Sequence, residues 1–471
     1  MRHQAATSTH HRHPVGTIQK ETEIKLRASR ETLLALREHS LLKKRNKSGW
    51  SRHELFNQYY DTPDRALAQS RVALRLRRDG EQFIQTLKSR GQSVAGLSER
   101  NEWDWYLDKA KLDIKKLGDD CWPASLAELD KKTLKPIFTT DFVREKAEIA
   151  WGRGKTRVVI EAALDLGQVK AGKQSEEICE LELELRQGEP EALLELAAEL
   201  AADLPLMPCD ISKAERGYRL YDADGYSLQL PVPELTPGMA LDDAIVALGW
   251  QLLGNSQRLA EQYRFNGRWK LLGEWLQQLI ELRALLGSLG QAAPRASSRE
   301  LRELLDMLIQ DWRPRVEAGQ DDEGGRKAAP AQFTDELGRT RWGLLSLKAS
   351  LWLLQRRWTQ GRNARGDRQG AAELGKWLPH LLAEEAKALQ LPRYQQQPED
   401  LAEQSPRMER MLVWLHLARG VLELPETDRL YGELAKLHEM ARQALDEAAR
   451  EQRVEQAHRV WTLKAWKLLE K

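Results

Sequence analysis

The chain has 471 residues, 41% hydrophobic and 31% charged, with 73 Lys and Arg against 71 Asp and Glu for a net charge of +2. That length has room for two or more domains with sizeable cores, and the near balance of charge provides no basic field that would gather nucleic acid, so no clear nucleic-acid partner is implied. No apolar run reaches the length of a membrane span, and Cys121, Cys179 and Cys209, odd in number and without metal-ligand spacing, fit a reducing cytoplasm with neither disulfide nor zinc site.

Residues 1–17 carry His3, His10, His11 and His13 in a polar stretch lacking the apolar core of a signal peptide. A disordered tail is expected there, a start codon placed too far upstream being the alternative. Glu21-Thr22-Glu23-Ile24-Lys25 then reads as a strand whose two-residue period puts Glu21, Glu23 and Lys25 on one face and Thr22, Ile24 and Leu26 on the other. Ser29 to His39 reads as a helix with Ser29 as N-cap. The charged row recurs with matched parity: Arg75 and Arg77 in Ala73–Arg77, Lys88 closing Phe83–Lys88, and Arg100, Glu102 and Asp104 alternating with Asn101, Trp103 and Trp105. Arg144 and Glu148 alternate less cleanly, Glu161 and Asp165 are in phase, and Glu180, Glu182 and Glu184 share a face of Ile178–Leu185. Pro190 to Ala202 reads as a helix with proline in its first turn. Ser212 is a further candidate cap, with Lys213 and Arg216 three apart on one helical face.

About eight such strands suffice to close a small antiparallel barrel. If the helices cover the apolar faces, the charged faces line a polar tunnel; the plainer alternative is a half-solvated antiparallel sheet, polar side out. A tunnel with both signs suits an oligophosphate, its cations gripping phosphate and its carboxylates holding Mg²⁺ or Mn²⁺. The step from Glu21 to Lys25 spans about 13 Å, comparable with a short polyphosphate. Asp165, two residues before Gly167, could equally be a turn residue.

Taken in this order, Glu21-x-Glu23-x-Lys25, Arg75-x-Arg77, Lys88, Glu180-x-Glu182-x-Glu184 and Ser212-Lys213-Ala214-Glu215-Arg216-Gly217-Tyr218 resemble the CYTH domain, or triphosphate tunnel metalloenzyme, over about residues 18 to 222. The resemblance implies an α+β domain built on an eight-stranded antiparallel barrel tunnel with flanking helices. Its chemistry would be metal-dependent hydrolysis of inorganic triphosphate to pyrophosphate and phosphate. On this reading Lys25, Arg75, Arg77, Lys88, Arg100, Arg144, Lys213 and Arg216 hold the phosphates, the last two at the tunnel mouth, where Lys213→Ala would cost binding more than turnover. Glu21, Glu23, Glu180 and Glu182, with Asp165 or Glu184 assisting, hold one or two Mg²⁺ or Mn²⁺ ions. Glu21, Glu23, Lys25, Glu180 and Glu182 form the catalytic set. A thiamine or nucleoside triphosphatase and a non-catalytic polyphosphate-binding scaffold are the alternatives. An adenylate cyclase is disfavoured, because Thr17-Ile18-Gln19-Lys20 stands where the family's cyclases carry His-Phe.

Pro231, Pro233 and Pro237 with Gly225 and Gly238 mark a linker over residues 223–239. Beyond it the apolar period becomes helical through residue 471, with segments expected near 240–289, 298–316, 334–359, 370–391, 406–422 and 427–469, and a capping box at Ser297-x-x-Glu300. Most of the 16 tryptophans lie here and read as core. By position and helical character this half resembles the CHAD domain, an all-α bundle that often follows a CYTH domain. That resemblance makes polyphosphate a partner to consider, although the motif of a histidine closely followed by arginines is missing. His380 and His416 read as structural. Arg356, Arg357, Arg362, Arg365 and Arg368 read as a solvated basic loop, the remaining candidate contact for polyphosphate or RNA.

Overall fold

A computed structural model describes residues 19–89 and 91–471; the histidine-rich tail, with Thr17 and Ile18, lies outside the described residues. In chain order the first part contains β1 (Gln19–Arg27), α1 (Arg30–Glu38), α2 (Ser40–Arg45), β2 (Ser51–Asp61), α3 (Ala66–Gln69), β3 (Ala73–Asp79), β4 (Gln82–Lys88), β5 (Gln92–Val94), β6 (Leu97–Leu107), β7 (Lys135–Trp151), β8 (Val158–Ala171), β9 (Gln174–Gln187), α4 (Glu191–Asp203), β10 (Met207–Pro208) and α5 (Lys213–Tyr221). The chain divides into two compact units between Leu228 and Gln229.

Eight strands close on themselves in the order β1-β9-β8-β7-β2-β3-β4-β6, with β6 returning to β1 through Glu21↔Arg100 and Glu23↔Ser98, and every pairing antiparallel. The short β5 and β10 extend the sheet beside β6 and β1. Closure removes the free edges that an open sheet of this length would expose. The strand at Ser51–Asp61 has no counterpart among the charged strands of the sequence reading. Its inward row is His53, Leu55, Asn57, Tyr59 and Asp61, too mixed to show one charged face.

The outer faces are apolar and covered. Leu74, Leu87, Trp103 and Trp105 on β3, β4 and β6 pack beneath Leu117, Cys121, Trp122 and Leu126 of the β6–β7 connection. On the opposite wall Ile24, Leu26, Leu181 and Leu183 are fully buried where α1 and α4 lie against β1 and β9. Each such leucine or isoleucine taken out of water stabilises the fold by about 1.5–3 kcal/mol. That burial fixes the register, because a one-residue slip would exchange these side chains for the charged row.

Helix α5 begins as read, with Ser212 Oγ accepting from Glu215 N at 3.2 Å. It packs against β7, β8 and β9. Gly217 permits the approach, since a Cβ there would lie 2.1 Å from the Phe138 ring. Phe138 stacks on Tyr59 at 4.8 Å and meets the edge of Tyr218 at 5.1 Å. With Leu55, Phe142, Val169 and Ile178 these rings form an apolar cluster beside α5.

The second unit is helical: α6 (Leu241–Asn266), α7 (Trp269–Gly287), α8 (Arg299–Asp321), α9 (Glu323–Leu337), α10 (Arg341–Leu354), α11 (Ala364–Gly370), α12 (Leu374–Leu389), α13 (Ser405–Leu417), α14 (Thr427–Arg442), α15 (Glu447–Thr462) and α16 (Lys464–Leu469). The segment expected as one helix over 240–289 breaks at Gly267, whose φ of +63° ends α6 in the left-handed region. Trp275 meets Trp312, Phe333 and Trp342 edge-on at 5.7, 5.1 and 5.6 Å, so these tryptophans are core.

Two expectations change in this unit. Ser297 does not cap α8: its hydroxyl donates to Pro294 O at 2.7 Å, and Glu300 pairs with Lys348. The basic segment after Arg356 is partly helical, with Asn363 capping α11; Arg356, Arg357, Arg365 and Arg368 are exposed as expected, but Arg362 is clamped on Asp242 at 2.8 and 2.6 Å with Asp367 at 2.8 Å. Arg356 pairs with Asp243 at 2.7 Å, so acids of α6 pair with Arg356 and Arg362 of the cluster. His416 Nδ1 lies 3.0 Å from the nearly buried Glu281, whereas His380 is exposed beside Glu384.

Candidate functional site

The strand parities place the charged rows inside the barrel, where they meet across it. Glu21 on β1 accepts from Lys88 Nζ of β4 at 2.7 and 2.9 Å, and the same ammonium lies 2.9 Å from Glu102 on β6. Arg75 on β3 stands 3.7 Å from Glu102. Burial works against the charge of Arg75, but Tyr59, Glu102 and Asp104 outweigh it and raise its pKa. Glu23 pairs with Lys25 two residues along its own strand and accepts from Ser98 Oγ at 3.5 Å. Asp104 accepts from Thr86 Oγ1 at 2.6 Å.

A second group lies where β7, β8, β9 and α5 converge. Asp165 and Glu180 are fully buried and Glu182 nearly so, and carboxylate oxygens of the three lie within 4.8 Å of one another. Lys213 Nζ bridges them, 2.7 Å from Asp165, 2.7 Å from Glu182 and in contact with Glu180. Arg144 donates to both Asp165 oxygens at 2.7 Å and to Glu182 at 2.5 Å, while Arg216 pairs with Glu180. Burial alone would raise the pKa of Glu180 and Glu182, but Arg216 and Lys213 for the first, and Lys213, Arg144 and Lys25 for the second, hold both carboxyls below their ordinary value. Such a triad is costly to desolvate and stands only because each acid has a cation against it.

Asp165 is therefore not a turn residue; it sits mid-strand on β8 opposite Arg144 and Glu180. Lys213 and Arg216 are not at a mouth, because α5 packs on the barrel wall and turns both inward, 7% and 0% exposed. Glu184 stands apart from the triad with Glu161 and Arg186, which donates to them at 2.8 and 2.9 Å. Burial pushes its carboxyl up to about 8; Arg186 opposes that, and Glu21, Glu23 and Glu161 add to it. Arg100 shares the inward parity of Glu102 and is half-buried. Glu148, in contrast, is exposed at the far end of β7.

Arg77 differs from Arg75, Arg144 and Arg216. Its Nε donates to Asn57 Oδ1 at 2.8 Å, the Asn57 amide donates to Thr140 Oγ1 at 3.0 Å, and no carboxylate pairs with it among the described residues. Burial first, and then the neighbouring Arg75 and Arg144, pull its pKa down to about 10, against the smaller opposing effects of Tyr59 and Glu102. Asn57, Tyr59, Thr140 and Arg186 emerge as tunnel residues from the structure alone. For Arg186 the parity of Glu184 on the same strand is a signal that could have found it.

For a divalent cation the donor set fits: converging carboxylate oxygens are the hard ligands that Mg²⁺ and Mn²⁺ take. The triad is the group of that kind among the described residues, with Glu21, Glu23 and Glu184 as further carboxylates lining the same barrel.

Residues 19–218 match the model of the CYTH domain. A 166-residue stretch is 34% identical to the inorganic triphosphatase of Haemophilus influenzae, covering 35% of this chain and 46% of that protein, so the match spans less than half of the relative. Solved structures similar to the chain include a Hippeastrum protein that carries the name of an adenylyl cyclase and is reported to have a dominant triphosphatase activity, at 21% identity over 42% of this chain and 95% of that one, TM-score 0.31. A Pyrococcus horikoshii protein is similar at 20% identity over 38% and 89%, TM-score 0.25. The family match and the barrel with its inward charged rows coincide in extent, and residues 19–218 belong to the CYTH, or triphosphate tunnel, family.

Proposed function

We propose that the barrel is an inorganic triphosphatase, hydrolysing tripolyphosphate to pyrophosphate and phosphate in the cytoplasm with Mg²⁺ or Mn²⁺. The observation that carries this reading is Arg77, a guanidinium held inside the barrel beside Arg75 and Arg144 with a neutral amide as its partner. A guanidinium that faces a tunnel without a carboxylate partner suits an anionic ligand. The 34% identical stretch of the inorganic triphosphatase supports the choice among triphosphates.

In this scheme Arg75, Arg77 and Arg144 grip the phosphates, with Lys25, Lys88, Lys213 and Arg216 exchanging carboxylate partners for phosphate oxygens as the substrate enters. They would also stabilise charge spreading onto the terminal phosphoryl group as water attacks phosphorus and the bridging P–O bond breaks. Glu21, Glu23, Asp165, Glu180 and Glu182, with Glu184, would hold the divalent ion, which supplies charge neutralisation and an activated water. The domain limits of 18–222 and 240–471, and the kinship of the helical unit to CHAD domains, belong to this proposal. Among the described residues no helix is long and apolar enough to cross a membrane.

The test is phosphate release from inorganic triphosphate, thiamine triphosphate, ATP and pyrophosphate by the full chain with each metal in turn. Release from inorganic triphosphate at least about tenfold faster than from the others is expected, a preference of about 1.4 kcal/mol. No release from any of them by folded, metal-supplied protein would leave the binding scaffold as the better reading.

A further inference from the structure

Arg75, Arg144 and Arg216 each face a carboxylate inside the barrel; Arg77 faces an amide. Asn57 is fully buried, pairs with Arg77 across the β2–β3 ladder and with Thr140 across the β2–β7 ladder, and has a hydrogen bond in each direction. An isosteric aspartate there would give Arg77 a stronger, charge-assisted partner. It would also cancel the charge.

We infer that Asn57 is a positioning residue that aims Arg77 at the phosphates without neutralising it, and that Thr140 sets which end of the amide does so. The inference rests on the triphosphatase reading and deepens it. An amide has an acceptor oxygen and a donor NH₂, and only the oxygen can receive Arg77 Nε–H. Thr140 Oγ1 at 3.0 Å takes the NH₂ and so points Oδ1 at the guanidinium, 2.8 Å away. Thr140 is itself fully buried, so water does not compete for the amide. The guanidinium's other donors, Nη1 and Nη2, are left to a ligand, and the charge that Arg75 and Arg144 crowd is kept for an anion.

The experiment is calorimetric binding of inorganic triphosphate to the full chain without divalent metal, with thermal unfolding of the same samples. Asn57→Asp keeps the acceptor and adds a charge, so its dissociation constant should rise at least about tenfold, or about 1.4 kcal/mol, while its unfolding temperature is not lowered. A merely structural role for Asn57 predicts the opposite pattern: affinity lost only to the extent that the fold loosens. Folded Asn57→Asp with wild-type affinity overturns the inference. Should that variant fail to fold, Thr140→Val carries the test. Freed from its acceptor, the amide can turn NH₂ toward Arg77, and a several-fold loss of affinity is expected; unchanged affinity overturns the role given to Thr140 and Asn57 together. If the wild-type chain neither binds nor hydrolyses inorganic triphosphate, the functional reading fails and this inference falls with it. If the wild type binds and both variants bind equally well, this inference alone fails.

Discussion

Replacing Lys213 by methionine should cost the barrel far more stability than a surface lysine would. The side chain is 7% exposed, its ammonium bridges Asp165, Glu180 and Glu182, and its end lies 5.0 Å from the centre of the Phe142 ring, where a methionine still packs. Removing one partner of a buried ion pair costs about 3–5 kcal/mol, because the other charge stays buried and unpaired. Here Arg144 and Arg216 remain, yet three carboxylates lose a shared cation. For a domain of this size, with about 2–4 °C lost per kcal/mol, the unfolding temperature should fall by about 6–20 °C. This loss of stability would come in addition to the binding-weighted loss expected from the sequence for Lys213→Ala. The pH dependence follows from the pKa directions. Glu180 and Glu182 are lowered in the fold, so their contribution is present above the unfolded carboxyl value and lost as pH falls through the folded ones, about 2 for Glu180. Lys213 is raised, so its contribution is complete below its unfolded value and lost only at more alkaline pH. The gap between wild type and variant should therefore be widest from about pH 5 to 10 and close toward pH 2. Scanning calorimetry across that range is the assay. A shift of under about 2 °C at pH 7 would refute the argument that Lys213 holds the triad together.

Two further predictions are independent of this one. Glu23→Ala should abolish most triphosphate hydrolysis while leaving circular dichroism unchanged, since Glu23 is a tunnel carboxylate whose inward partners are Lys25 and Ser98; near wild-type turnover would remove it from the metal set. In the helical unit His438, largely buried beside Arg442 and Arg313, has its pKa lowered to about 4, chiefly by that desolvation. It stays neutral in the fold while the unfolded chain protonates, so stability present above about 6.5 is lost as pH falls toward 4, by roughly 3 kcal/mol. His438→Gln, which can keep the bond to Ser405 Oγ, should flatten that dependence in urea titrations at pH 7 and pH 4.5.

Glu21, Glu23 and Lys25 were legible as tunnel residues because burial and charge are inverted relative to an ordinary strand, and alternation survives in one dimension. Asn57 carries no such sign. Its strand mixes histidine, leucine, asparagine, tyrosine and aspartate on the inner face, and the role of a neutral residue depends on which charge lies opposite in the closed barrel. Helical spacing put Lys213 and Arg216 on one face of a helix but could not say that this face looks inward, since that depends on Gly217 lying against Phe138, a contact 79 positions apart in sequence (217 − 138). Arg362 read as free because its partner Asp242 is 120 residues away.

The closing of the barrel also has a consequence for how the protein is made. β1 leaves the ribosome first, yet its permanent neighbours are β6 and, through Glu23↔Glu184, β9, 161 residues later (184 − 23). At about 5–20 residues per second, that partner arrives roughly 8–30 s after β1. During this interval Ile24 and Leu26, destined for full burial, lack β9 and the α4 helix that follows it. The nascent chain thus carries an unpaired strand for longer than hairpins take to form, and a translational pause before β9 would prolong the risk of mispairing.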